Sequence, residues 1–205
     1  SVKVSDEFWN KFSGQKVIAL MPGSRKYDIN FHIDILLDTA KILREKKYCP
    51  VFSIAPGLSS DLADLLRDRV QDFDIWEGEG RELMSGSLAV AGVSGTVAVE
   101  AMLLNRYMVV IYNMKRINYE ILKRLVHVKK ISIPNYLTSK PVYPELLCKD
   151  ADPLRIVQEL EKYLCSDDNK LEIDTRLREA SSLMGSDNAF EFWAESVNNI
   201  LRNIF

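Results

Sequence analysis

Val17-Ile18-Ala19-Leu20-Met21-Pro22-Gly23-Ser24-Arg25 is an apolar run of β-forming residues closed by Pro-Gly-Ser, and an amphipathic segment follows from Ile29 to about Lys47. That order reads as strand, tight turn, helix. Such a turn sits at the carboxyl end of a strand, where open α/β sheets bind their ligands. Gly23 allows close backbone approach, Ser24 is placed to cap the helix, and Arg25 offers a planar fork of donors. With the unpaired N–H groups of the helix start, they form a site for phosphate or another anion. The plainer alternative is a simple chain turn with Arg25 solvated.

Outward from this stretch, short apolar runs alternate with segments of helical period. Strands are predicted at Val17–Met21, Pro50–Ile54, Phe73–Glu77, Leu88–Gly92, Met108–Tyr112 and Lys130–Ile133, and helices at Ile29–Lys47, Asp61–Val70, Arg81–Gly86, Val97–Asn105 and Asn118–Val126. In the first helix Ile29, Ile33, Leu36, Leu37, Ala40 and Leu43 recur at spacings of three and four, one buried stripe. The alternation predicts an α/β, Rossmann-like fold: a mostly parallel six-stranded sheet with helices on both faces, plus C-terminal helices. After Pro144 the strands are expected to stop. Asp152-Pro153 opens a helix to about Leu164, as N-cap and first helical residue. The polar run Ser166–Lys170 reads as a linker, with helices near Thr175–Met184 and Asn188–Ile204 beyond it. Residues 1–165 are thus expected as the main domain, and 166–205 as linker and helices packing on it or on a partner. The last helix aligns Phe190, Trp193, Val197, Ile200, Leu201 and Ile204 on one side.

The charge balance, 27 Lys and Arg against 29 Asp and Glu in 205 residues, gives no basic field for nucleic acid. Cys49, Cys148 and Cys165 are too few and scattered for a disulfide framework, and His32 and His127 lie far apart, so neither a metal site nor an oxidising compartment is indicated. No apolar run approaches the roughly 18 residues of a membrane span, and the opening residues lack a signal-peptide pattern. Ser1-Val2-Lys3 brings no initiator Met and reads as a cut boundary.

Three further elements follow predicted strands. Ser94, Gly95 and Thr96 open a helix and make a second anion cradle of N–H groups and hydroxyls. Glu100, one turn further in, suits either a ribose diol or a favourable charge near the helix start. Glu77-Gly78-Glu79-Gly80-Arg81-Glu82 lacks the third glycine of a dinucleotide fingerprint. In Ile133-Pro134-Asn135-Tyr136-Leu137, the Asn135 amide either holds a ligand or closes a turn. All four turns are expected at carboxyl ends of parallel strands.

The succession Ala19–Arg25, Gly80–Met84, Ser94–Leu103, Met108–Tyr112, Ile133–Leu137 and Pro144–Leu147 resembles the carboxyl-terminal half of bacterial lipid-A-disaccharide synthases, from about Val17 to the end. The resemblance implies a GT-B-type glycosyltransferase of two Rossmann-like halves with its active site between them. This half would bind the UDP part of UDP-2,3-diacylglucosamine. The enzyme would transfer that sugar to 2,3-diacylglucosamine 1-phosphate (lipid X), release UDP, and need neither metal nor cofactor. By motif position Arg25 would meet the donor's phosphates or sugar, with Gly23 and Ser24 shaping the approach. Ser94, Gly95 and Thr96 would hold the diphosphate and Glu100 the ribose; Gly80 and Arg81 would lie near the uracil, and Asn135 would line the cleft. Asp28 stands where the family usually has Glu, and Ser139 where a Gly is expected.

In the family the other half carries the acceptor site and a carboxylate general base. No paired carboxylates or Ser/His/Asp set here replaces them, so no catalytic residue is expected in this chain, and it should bind without catalysing. Lys115–Lys130 carries six Lys or Arg against one Glu, with Ile117, Ile121, Leu122 and Leu125 at helical spacing. It reads as a sheet-covering helix or as a basic face for an anionic membrane surface; with the family's acylated substrates, the resemblance implies a cytoplasmic protein peripheral on the inner membrane. The apolar stripe of the last helix suggests a homodimer. Two other readings stay open: half of another UDP-GlcNAc-type transferase or epimerase, and a stand-alone UDP-binding module.

Overall fold

The computed structural model describes residues 2–114 and 130–184. The predicted helix at 118–126 and the terminal helix at 188–204 lie outside the described residues. A helix that the sequence reading omits comes first, α1 (Asp6–Phe12); Ser5 caps it by accepting from the Phe8 N–H, and Phe8 and Phe12 are buried. Then follow β1 (Val17–Met21), α2 (Lys26–Glu45), β2 (Cys49–Ser53), α3 (Ser60–Arg69), β3 (Asp74–Trp76), α4 (Gly80–Gly86), β4 (Ala89–Val93), α5 (Thr96–Leu103) and β5 (Met108–Tyr112). Beyond these lie α6 (Ile133–Leu137), β6 (Glu145–Leu147), α7 (Pro153–Leu164) and α8 (Asp167–Leu183).

The six strands form one sheet in the order β3-β2-β1-β4-β5-β6, and every pairing is parallel. All five residues of β1 and of β4 are buried, which is why both read as unbroken apolar runs rather than alternating ones. One helix layer packs α2 against α7; the other groups α1, α4 and α5, and α8 packs against both α7 and α5. The stripe predicted on α2 is the buried one, with Ile29, Ile33, Leu36, Ala40 and Leu43 in the core and Leu37 at its margin. Asp152 caps α7 through the N–H groups of Leu154 and Arg155, with Pro153 in the first turn, as the sequence predicts.

Three expectations are overturned. The strand predicted over Lys130–Ile133 is instead an extended approach to α6, whose first turn accommodates Pro134 at no cost in hydrogen bonds. The sixth strand comes after Pro144, where no strand is expected: Glu145–Leu147 is a three-residue edge strand on β5, too short to show a period. The linker at Ser166–Lys170 is the start of α8. Ser166 is its N-cap, accepting from the Asn169 N–H, and Asp167 and Asp168 occupy the first turn, where the helix dipole favours them. Through Leu177 and Ala180, both fully buried, α8 joins the same core. Among the described residues no helix is long and apolar enough to cross a membrane.

Candidate functional site

In the order 3-2-1-4-5-6 the chain reverses direction across the sheet between β1 and β4, so α2 and α5 leave toward opposite faces and open a crevice between them. The two strands run very close there. A Cβ on Gly92 would stand 2.5 Å from the Met21 Cβ and 2.7 Å from its carbonyl oxygen. Their exits line one cleft of about 170 Å³, with Gly23, Ser24 and Arg25 on one side and Ser94, Gly95 and Thr96 on the other. Six of the predicted site residues thus meet at one place.

Gly23 has φ +98°, a left-handed conformation, and a Cβ there would be 2.7 Å from the Asp28 Cβ. Both facts require glycine. The helix that follows starts one residue later than a Ser24 cap would need: Arg25 occupies the N-cap, no side chain bonds its first turn, and Ser24 is exposed. The capping role expected of Ser24 is therefore corrected. Across the cleft Gly95 is the N-cap of α5, again without a side-chain cap. Two helix N-termini with unsatisfied N–H groups thus border one crevice, each carrying a partial positive charge. A Cβ on Gly95 would meet nothing within 4 Å, so the space over the α5 terminus is open. The Asp28 carboxylate also lines the cleft and opposes an anion at the α2 side.

Gly80, the first residue of α4, approaches the same region: a Cβ on it would be 3.1 Å from the Met21 Cε. Arg81 and the half-buried Glu100 line a second groove, about 720 Å³, with Trp9, Ser85 and Arg106. Arg106 is held there by a 2.6 Å hydrogen bond from its guanidinium to the Ser85 carbonyl. The structure therefore divides the predicted set in two. The anion-binding turns share one cleft; Arg81 and Glu100 share the other.

Asn135 belongs to neither. It is buried, and its amide is fully committed: Oδ1 accepts from the N–H groups of Val142 and Tyr143 at 2.8 and 2.9 Å, while Nδ2 donates to the Tyr143 carbonyl and to Glu145. Glu145 also accepts from the Ile131 and Ser132 N–H groups and the Ser132 hydroxyl. This hub pins residues 131–135 beside the chain entering β6. The fourth turn is thus at the start of a strand rather than at its exit, and the expectation that Asn135 lines the cleft is corrected. It closes a turn.

Sequence reasoning passes over His32, which sits between Ile29 and Ile33 on the apolar stripe of α2. It is fully buried on α2; Nδ1 lies 2.6 Å from the Asp28 carbonyl and Nε2 2.7 Å from the Asn113 N–H. Its signal in the sequence is a polar residue within an apolar stripe. Burial holds its pKa below 6.5, against smaller opposing effects of the Asp28 carbonyl and carboxylate. Among the described residues no group of three or more His, Cys, Asp or Glu is arranged to hold a metal ion.

With this geometry in hand, the chain can be compared with known proteins. Residues 3–191 match the family model described as lipid-A-disaccharide synthetase. The lipid-A-disaccharide synthase of Acinetobacter baylyi is 36% identical over 170 residues, 76% of this chain and 43% of that protein; that of Geobacter sulfurreducens is 36% identical over 155 residues, covering 74% and 40%. The chain thus spans less than half the length of these relatives. Among solved structures, the S. aureus MnaA–UDP co-structure aligns with a TM-score of 0.63 at 13% identity, over 97% of this chain and 49% of that one. That likeness concerns the fold alone.

Proposed function

The chain belongs to the lipid-A-disaccharide synthase family, and on that premise we propose that it is the half that binds the nucleotide of the sugar donor. The donor is UDP-2,3-diacylglucosamine and the acceptor lipid X, with the general base and acceptor site on the other half of the enzyme. The observation that carries this reading is the pair of uncapped helix N-termini facing one cleft at the sheet's switch point, with Arg25 at its rim.

In the transfer, the acceptor hydroxyl attacks the donor's anomeric carbon and gives its proton to the base on the other half. The bond from that carbon to the β-phosphate oxygen breaks, and its electron pair leaves with UDP. This chain's part is to stabilise that departing charge. The first-turn N–H groups of α5 are donors fixed by the helix in advance of the reaction, which is where such groups contribute most, and the Ser94 and Thr96 hydroxyls and the Arg25 guanidinium supply further donors at the cleft. Beyond the diphosphate cleft, the nucleoside would extend past the α4 start at Gly80 toward the second groove, where Glu100 would accept from the ribose diol and Arg81 would border the uracil. Because both sugars carry acyl chains, the reaction is placed at the cytoplasmic face of the inner membrane.

Titration of the chain with UDP and with ADP in the presence of EDTA tests the reading. UDP is expected to bind, weakly because half the cleft belongs to the other domain, and at least about tenfold more tightly than ADP. Equal binding of the two, or none, contradicts it.

A further inference from the structure

Ser53 closes β2 in an otherwise apolar stretch of chain, with Val51, Phe52 and Ile54 buried and Ser53 itself only 5% exposed. Among the described residues, the other buried Ser and Thr hydroxyls are bonded. Thr39 donates to the Ile35 carbonyl, Ser87 to the Met84 carbonyl and Ser132 to Glu145. The Ser53 hydroxyl has no hydrogen-bond partner among the described residues, and it lines the cleft between the Gly23 and Gly95 turns. The residue is buried, yet its hydroxyl oxygen stays open to the cleft and is committed to no protein group, so a ligand seated there can take it as a donor. Its neighbour at the start of α4 is Gly80, where a Cβ would lie 3.8 Å from the Ser53 Oγ, an ordinary contact distance.

We propose that Ser53 is a further ligand-contact residue of the cleft, its hydroxyl donating to an anionic oxygen of a bound diphosphate. The inference rests on the reading of this cleft as the donor's nucleotide site. It adds a donor on the cleft floor, from a third strand, to those of the two turns. A hydroxyl O–H to a phosphate oxygen is a charge-assisted hydrogen bond, stronger than a neutral one.

The test is titration of wild type and Ser53→Ala with UDP, inorganic pyrophosphate and uridine. Ser53→Ala removes one oxygen that bonds nothing in the free protein, so its thermal unfolding should match that of wild type; Ser53→Cys, equally small and a poor donor, serves as the second variant. Both variants are expected to bind UDP and pyrophosphate roughly tenfold more weakly, with uridine binding unchanged. UDP binding within twofold of wild type in both variants overturns the proposal and leaves the site assignment standing. An equal loss for uridine also overturns it, since the hydroxyl would then serve the nucleoside end. If wild type binds neither UDP nor pyrophosphate, the functional reading fails and this inference falls with it.

Discussion

His32 Nε2 accepts a 2.7 Å hydrogen bond from the backbone N–H of Asn113, 81 residues away in sequence. Since Nε2 is the acceptor, Nδ1 carries the proton and donates it to the Asp28 carbonyl at 2.6 Å. A neutral imidazole thus ties the first turn of α2, which borders the anion cleft, to the exit of β5. Asn113 reinforces the tie by donating from its amide to the Phe31 carbonyl.

This tie makes stability depend on pH. In the unfolded chain His32 takes up a proton near pH 6.5; in the folded protein burial delays that uptake to lower pH. Between the two values the unfolded state holds more protons. Stability from the neutral ring is therefore complete above pH 6.5 and is lost as pH falls from there toward the folded value. Urea denaturation at pH 8.0 and pH 5.5 should show the loss in wild type. His32→Gln, which keeps an acceptor for the Asn113 N–H but does not titrate, should cost about 1 kcal/mol at pH 8 and flatten the dependence.

Gly92 and Gly23 separate packing from ligand approach. Gly92→Ala forces a Cβ into the Met21 backbone and should destabilise by about 2–3 kcal/mol, visible as a lower Tm. Gly23→Ala meets a left-handed φ and the Asp28 side chain. It should cost about 1–2 kcal/mol of strain and also weaken UDP binding, because the turn must move away from the cleft. A Gly23→Ala protein that binds UDP like wild type would remove that turn from the site.

Asn135→Ala leaves the Val142 and Tyr143 N–H groups without their acceptor and Glu145 without a donor. A loss of about 2–4 kcal/mol in unfolding free energy is expected, with the UDP affinity of the folded protein unchanged. A weaker affinity at unchanged stability would return Asn135 to the cleft.

The sheet was legible because β1 and β4 are buried on both faces and so appear as apolar runs, and because α2 shows its stripe at helical spacing. What escaped lies where period carries no information. β6 has three residues, and α8 buries only Leu177 and Ala180. In both α1 and α8 a Ser N-cap with two acidic residues behind it marks the start, yet the polar run that opens α8 reads equally as a linker. At the site, the Gly23 and Gly95 turns follow directly from strand–turn–helix order. The true place of Asn135 does not, because it depends on Glu145, ten residues on, collecting four donors around residues 131–135. Ser53 was invisible for the opposite reason: one hydroxyl in an apolar strand has no pattern until the cleft above it is seen.

The central claim is that the Gly23–Arg25 and Ser94–Thr96 turns hold a UDP diphosphate while Glu100 holds its ribose. Titration calorimetry of UDP in EDTA against wild type, Arg25→Ala and Glu100→Ala tests it most directly. The predicted result is one UDP per chain for wild type, insensitive to chelation, and roughly tenfold weaker binding in each variant. UDP binding that both substitutions leave unchanged, or that disappears on chelation, would contradict it.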